Sequence, residues 1–331
     1  MTLPKILEDN LSLPVIGSPM FIVSNPDLVL AQCKAGIVGS FPALNARPAA
    51  ELEVWLQRIT SELADYKAAN PDARVAPFAV NQIVHKSNDR LEHDLEMCVK
   101  YQVPIVITSL RAPTEAIPAV HSYGGLVFHD VISVRHAEKA IEAGVDGLIL
   151  VCTGAGGHAG TFNPFALVSE IRSFYDGPII LSGAITRGDH VLAAQAMGAD
   201  LAYIGTRFIA TDEANADQRY KDMIVDSSAK DIIYTSYFTG VHGNYLADSI
   251  TNAGLDPNAL PEGDPANMAF GSGGSNKSKA WRDIWGAGQG VGSIREVQPT
   301  AEVVAHLQEE YRQACARVTD NPWVGRSLNS R

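Results

Sequence analysis

The residues whose types and spacing could do chemistry are one histidine among glycines and two glycine-bearing strand ends that follow it. His158 closes the run Gly154-Ala155-Gly156-Gly157-His158. Ser182-Gly183-Ala184 and Gly205-Thr206 each come directly after a short apolar run. Glycine lets a ligand approach the main chain, and main-chain N–H groups at the start of a helix can face an anion. The Thr206 hydroxyl adds a donor. Two such loops at consecutive strand ends point to a phosphate cradle. An imidazole titrates near neutrality, so His158 suits general acid–base work, with a structural or surface histidine as the alternative. Asn81, Gln82 and Gln289 carry amides that could pair with a planar heterocycle, or could simply satisfy backbone groups in loops.

The elements that must position these residues alternate along the chain. Apolar runs at Pro14–Gly17, Gly36–Ser40, Val75–Val80, Pro104–Thr108, Gly124–Phe128, Gly147–Val151, Ile179–Leu181 and Leu201–Ile204 read as strands. Pro19 and Met20 fall in the loop after the first of them. Asn81-Gln82 and His129-Asp130 fall at the ends of the third and fifth. Helical segments separate the strands: Asn25–Ala35, Ala49–Lys67, Asp89–Lys100, Thr114–Ser122, Ser133–Ala143, Pro164–Phe174 and Gly188–Met197, with Glu213–Asp226 as the last barrel helix. Eight strands alternating with helices predict an α/β protein whose parallel sheet closes into a (β/α)8 barrel. Gly154, Gly156 and Gly160 do not have the spacing of a dinucleotide-binding loop. Residues 232–295 are rich in turn formers, including Gly271–Asn276 and a stretch from Gly286 to Gly292 that follows Trp281 and Trp285. They are expected to fold back over the barrel mouth as an inserted segment. Residues 1–231 and 296–331 then make the barrel, with Pro299–Val318 as a terminal helix.

The bulk properties narrow the function. The chain has 331 residues, is 46% hydrophobic and carries a net charge of −11. That acidity argues against nucleic acid or a membrane surface as partner. Cys33, Cys98, Cys152 and Cys315 are widely spaced and fit reduced thiols, with Cys152 next to the glycine loop but expected to pack. No signal-peptide core appears at the N-terminus, and no run approaches the ~20 apolar residues of a membrane span, so a cytoplasmic protein is expected. The histidines show no metal-ligand spacing, and no G-x-S-x-G elbow is present. No metal is expected.

Taken together, Ser18-Pro19-Met20, Gly156-Gly157-His158-Ala159-Gly160, Ser182-Gly183-Ala184-Ile185, Gly198-Ala199-Asp200, Gly205-Thr206-Arg207-Phe208 and Ala287-Gly288-Gln289-Gly290 resemble the nitronate monooxygenases, also called 2-nitropropane dioxygenases. The resemblance runs from about Pro14 to Leu307. It implies a TIM barrel that binds FMN, with Gly183, Gly205 and Thr206 at the phosphate and Met20, Asn81 and Gln289 along the ring. Pro19, Gly157, Ser182 and Ala184 belong to the same cofactor-binding motifs. It implies that His158 acts as base on a neutral nitroalkane or holds an anionic nitronate. The implied reaction oxidises an alkyl nitronate with O2 to a carbonyl compound and nitrite. The expected partners are a small-molecule substrate and O2, with a homodimer left open. The same barrel and Gly-Gly-His loop also resemble FMN-dependent NAD(P)H reductases of quinones and enoyl thioesters, which is the alternative reading. In some relatives a lysine near the cofactor stands where this chain has Asp130. An acid there would repel phosphate, so Asp130 is expected to point elsewhere or to sit in a site arranged differently.

Overall fold

Short apolar runs buried on both faces are what parallel strands under a layer of helices require. The structure, a computed structural model, describes residues 3–263, 284–321 and 323. Its first nine strands are β1 (Val15–Gly17), β2 (Gly39–Pro42), β3 (Phe78–Val84), β4 (Ile105–Leu110), β5 (Leu126–Val131), β6 (Gly147–Val151), β7 (Gly157–His158), β8 (Ile179–Ser182) and β9 (Leu201–Ile204). All but β7 join one parallel sheet in the order β1-β9-β8-β6-β5-β4-β3-β2. The ring closes where Ile16 of β1 bridges Val38, just ahead of β2, with the Gly17 N–H donating to the Val38 carbonyl at 2.7 Å. The expected (β/α)8 barrel is present.

Strand ends differ from the sequence reading in one direction. The second strand begins at Gly39 rather than Gly36, because Gly36 sits in a left-handed turn (φ 86°). The third continues to Val84 and the fifth to Val131, so Asn81, Gln82, His129 and Asp130 lie inside strands. Main-chain pairing continues past the apolar run. The register joins Asn81 to Ile107, Gln82 to Thr108, His129 to Leu148 and Asp130 to Ile149.

Alternate residues fill the barrel. Ala79, Ile105, Ile107, Phe128, Ile149, Ile180 and Leu201 pack there with Ile16 and Val38. Leu7 and Leu11, from the helix Lys5–Glu8 and the turn after it, join the same cluster. By the same alternation the next inward positions toward the C-terminal ends are Asn81, Ser109, Asp130, Ser182 and Tyr203. The barrel is thus apolar within and polar at its mouth.

The helix ring is completed differently from the expectation. Gln218–Asp226 is helical, but the eighth place is taken by the C-terminal helix Thr300–Thr319, which packs between Gly188–Met197 and Pro26–Lys34. Its apolar residues Val303, Val304 and Leu307 are buried in the main helix–sheet cluster. Glu310 accepts from the Gly188 N–H at 2.8 Å and pairs with Arg187 at 3.0 Å. Gly188 is where the two helices touch, since a Cβ there would collide with the Leu307 carbonyl and the Tyr311 amide.

After the barrel, β10 (Ile232–Thr235) and β11 (Gly243–Leu246) form an antiparallel sheet with β7, in the order β10-β11-β7. A small apolar cluster of Tyr245, Ile250 and Ile284 backs this sheet. Trp285 stacks on Tyr220 at 4.9 Å between ring centres. The expected Gly271–Asn276 loop and Trp281 lie outside the described residues.

Gly188→Val should force the C-terminal helix off the barrel and cost about 1–3 kcal/mol, the usual range for overpacking. A urea melt would read this as a lowered midpoint. An unchanged midpoint would mean that this helix does not hold the ring closed.

Candidate active site

Four glycine-rich segments, far apart in sequence, meet at the C-terminal end of β6, β8 and β9. The loop after β6 lies against residues 287–289: the Gln289 N–H donates to the Gly154 carbonyl at 2.9 Å. A Cβ on Gly156 would fall 2.8 Å from the Gly288 nitrogen, and one on Gly288 would fall 2.6 Å from the Gly154 carbonyl. The Gly288 N–H donates to Thr206 Oγ1 at 2.9 Å, which ties this pair of segments to the loop after β9. The turn after β8 joins from the other side, since a Cβ on Gly290 would sit 2.7 Å from the Ala184 carbonyl. Gly183 has φ 143° and Ala184 has φ 55°, so this turn exposes main chain at a cost in strain. Gly205 opens the short helix Thr206–Ile209 and faces Ser18 and Met20, with the Met20 sulfur 3.6 Å from where its Cβ would be.

Among the predicted cofactor residues, the structure therefore brings together Met20, Gly205, Thr206, Ala184 and Gln289, with Gly157, Ser182 and Gly183 in the same loops. Pro19 lies in the loop between β1 and Met20. That loop is braced by Asn45, which donates to the Met20 and Ser24 carbonyls at 3.0 and 2.8 Å and accepts from the Ile22 N–H at 3.0 Å. Nothing in the local sequence marked Asn45. The Thr206 hydroxyl accepts from Gly288, so it organises the cradle and keeps its own hydrogen for a ligand. Arg207, within the same motif, turns away and donates to Gln298 Oε1 at 2.6 Å.

His158 reads from sequence as part of a mobile loop, but it is held in a sheet. It pairs with Gly243 of β11, and Asn244 of that strand donates to the Ala155 carbonyl at 2.6 Å. Gly157 needs its φ of 66° to make the turn. His158 Nε2 lies 2.9 Å from Thr239 Oγ1. The Thr239 hydroxyl donates to the Val241 carbonyl at 2.9 Å, so it is left to accept from Nε2–H. That arrangement places the imidazole lone pair on Nδ1. Burial lowers the histidine to about 4, so the ring is neutral at physiological pH. Thr239 lies 81 residues from His158, and the sequence held no signal linking them.

The floor of the mouth is polar. Asn81 Nδ2 donates to Ser109 Oγ at 2.9 Å and to the Ile107 carbonyl at 3.2 Å, and Ser109 Oγ donates to Asp130 Oδ2 at 2.6 Å. Asp130 thus points into the barrel rather than elsewhere, on a strand separated by β6 from β8 and its glycine turn. Gln82 does not take part. It faces the helix layer, where its amide lies 3.4 Å from Cys98 Sγ. Cys152 is fully buried in the outer cluster, and burial pushes its thiol up to about 12, so it packs and offers no nucleophile. A surface pocket lined by Ile132, Thr161, Phe162, Tyr234 and His242 lies beside the cradle and contains none of the predicted site residues.

Known proteins are similar to this chain in sequence or in fold. The family model described as nitronate monooxygenase matches residues 5–310. A nitronate monooxygenase of Paraburkholderia phytofirmans is 26% identical, over 91% of this chain and 93% of its own. A nitroalkane oxidase from Streptomyces ansochromogenes superposes with a TM-score of 0.77 at 24% identity, covering 94% of this chain and 99% of its own. FabK from Thermotoga maritima does so with a TM-score of 0.74 at 22% identity, covering 95% and 97%. The chain is an oxidoreductase of the nitronate monooxygenase family, a group of flavin enzymes.

Proposed function

We propose that this protein oxidises alkyl nitronates with O2, using bound FMN, to a carbonyl compound and nitrite. The observation that carries this reading is a neutral, oriented histidine, His158, beside a main-chain cradle in a chain of this family. The residues present fit the cofactor. The close approaches at Gly156, Gly183 and Gly288 leave main chain rather than side chains at the mouth, as phosphate binding by N–H groups needs. The floor below offers Asn81, Ser109, Asp130 and Tyr203 to a polar ring.

Gly183, Gly205 and Thr206 would hold the phosphate, and Met20, Asn81 and Gln289 would line the ring. When bound, FMN supplies acceptance of electrons from the anionic substrate and their passage to O2. His158 Nδ1 takes the carbon-bound proton of a neutral nitroalkane, and the imidazolium so formed lies beside the nitronate anion. Thr239 fixes the tautomer that carries the lone pair on Nδ1. A nitronate supplied ready-made needs only the orientation and the charge stabilisation. Residues 232–263 and 284–295, which supply β10, β11 and the Gly288 contact, would help to exclude water and choose the substrate.

An anaerobic visible spectrum of the FMN-loaded protein tests the reaction class. Propyl-2-nitronate should bleach the flavin, and NADH or NADPH should not. Fast bleaching by the nicotinamide alone would replace this reading with a reductase acting on a quinone or an enoyl thioester. His158→Asn should retain FMN and lose about 100-fold more activity on neutral nitroalkanes than on nitronates, the low end of what a general base contributes. Equal losses on the two substrates would remove the base role. Gly183→Val and Gly205→Val should give folded protein with little flavin, with Gly183→Val also about 1–3 kcal/mol less stable from its backbone strain. Full flavin occupancy in both, read from the ratio of flavin to protein absorbance, would displace the phosphate from these loops.

A further inference from the structure

Two polar atoms at the inner end of the mouth are shut off from solvent with no hydrogen-bond partner among the described residues: Asp130 Oδ1 and the Tyr203 hydroxyl. They come from β5 and β9, which are not neighbours in the sheet, and both side chains face inward. A buried polar group left unsatisfied bears its full desolvation penalty. Two of them facing the same polar floor therefore point to a ligand that completes their bonding.

The other carboxylate oxygen is accounted for. Asn81 donates to Ser109 Oγ, and Ser109 donates to Asp130 Oδ2. Every donor in this chain runs toward Asp130, so a proton taken up by the carboxyl belongs on Oδ1, the oxygen left over. Among the described residues, the elements around it bring no positive charge to it. β3 contributes Asn81, β4 contributes Ser109, β6 places Ile149 opposite it in register, and β9 contributes the Tyr203 phenol. Burial accordingly pushes Asp130 up to about 6, with the Ser109 hydrogen bond opposing the rise, and it holds the Tyr203 phenol well above its usual range.

We propose that Asp130 couples charge on the bound flavin ring to proton uptake: Oδ1 closes its open hydrogen bond on the ring, and the carboxylate takes one proton from solvent when the ring becomes negative. This rests on the flavin reading above. The electrons come from the reductant, a nitronate in the proposed reaction, and the proton ends on Asp130 Oδ1, so charge in the mouth is balanced. A carboxylate beside an anion repels it, whereas a neutral acid donates to it. Below the point where Asp130 titrates the acid is already neutral, and reduction draws no proton to it. Above that point each reduction carries one extra proton, and the reduced form loses about ten-fold in equilibrium per pH unit. Asp130 is in this sense a positioning residue for charge on the ring, distinct from His158, which acts on substrate.

The test is the midpoint potential of the FMN-loaded protein from pH 5 to 8, measured against a redox dye with dithionite as reductant. Wild type should follow Asp130→Asn at pH 5 and fall away from it above about pH 6. At pH 8 the variant should hold its reduced form about 100-fold more favourably, two pH units at one linked proton each. Ser109→Ala removes the hydrogen bond that holds Asp130 down, so the break should move to higher pH. Parallel curves for wild type and Asp130→Asn, or an unmoved break in Ser109→Ala, would overturn the coupling. A wild-type protein that takes up no FMN would defeat the flavin reading and this inference with it. FMN bound with parallel curves would defeat this inference alone.

Discussion

The site depends on main chain packed against main chain. Gly154 and Gly156 lie so close to Gly288 that no side chain fits between them, and Gly290 stands in the same relation to Ala184. These contacts bring the main chain of three barrel loops and one distant segment together, with the Gly288 and Gln289 N–H groups bonded to Thr206 Oγ1 and the Gly154 carbonyl. Side chains at Gly156, Gly288 and Gly290 would collide with the facing main chain. The Thr206 hydroxyl, bonded to the Gly288 N–H, is the side-chain clasp that fixes the distant segment to the barrel.

Burial moves the titrations of His158 and Asp130, both at the mouth, in opposite directions. His158 is driven toward its neutral form by losing water, and Asp130 is driven toward its neutral form for the same reason. Neutral imidazole is the state a base requires, and neutral carboxyl is the state an acid requires beside negative charge. Their linkage to folding has opposite signs. Between about 4 and the ordinary histidine range, the folded chain binds fewer protons at His158 than the unfolded chain, so that group draws stability down as pH falls. Between the ordinary aspartate range and about 6 it binds more protons at Asp130, so that group draws stability down as pH rises.

The second sheet changes what His158 is. In a free glycine loop the imidazole would sample many directions, and its tautomer would be unfixed. Pairing of β7 with β11 and the Thr239 contact give it one direction and one tautomer. The described part of the segment after the barrel therefore supplies the group that orients the histidine.

Much of the fold was legible from periodicity. Apolar runs at regular spacing, each followed by a helical pattern, indicate a parallel sheet buried on both faces, and a count of eight with glycine loops at the sixth to eighth strands points to a closed barrel. The glycine loops at Gly154–Gly157, Gly183 and Gly205 were legible too, since glycine at a strand end has few structural reasons. The tertiary structure alone decided the rest. Gln82 and Asn81 are neighbours in sequence, yet the two-residue period of a strand sends one to the helices and the other to the mouth. Asp130 looked misplaced beside a phosphate until the strand order set it apart from the glycine turns of β8 and β9. Thr239, Asn45 and the C-terminal helix in the eighth place all act through contacts between distant parts of the chain. The sequence by itself determined which local structures form and where the main chain is left bare. Which side chains share a space depends on closure of the barrel, a long-range event that no local pattern records.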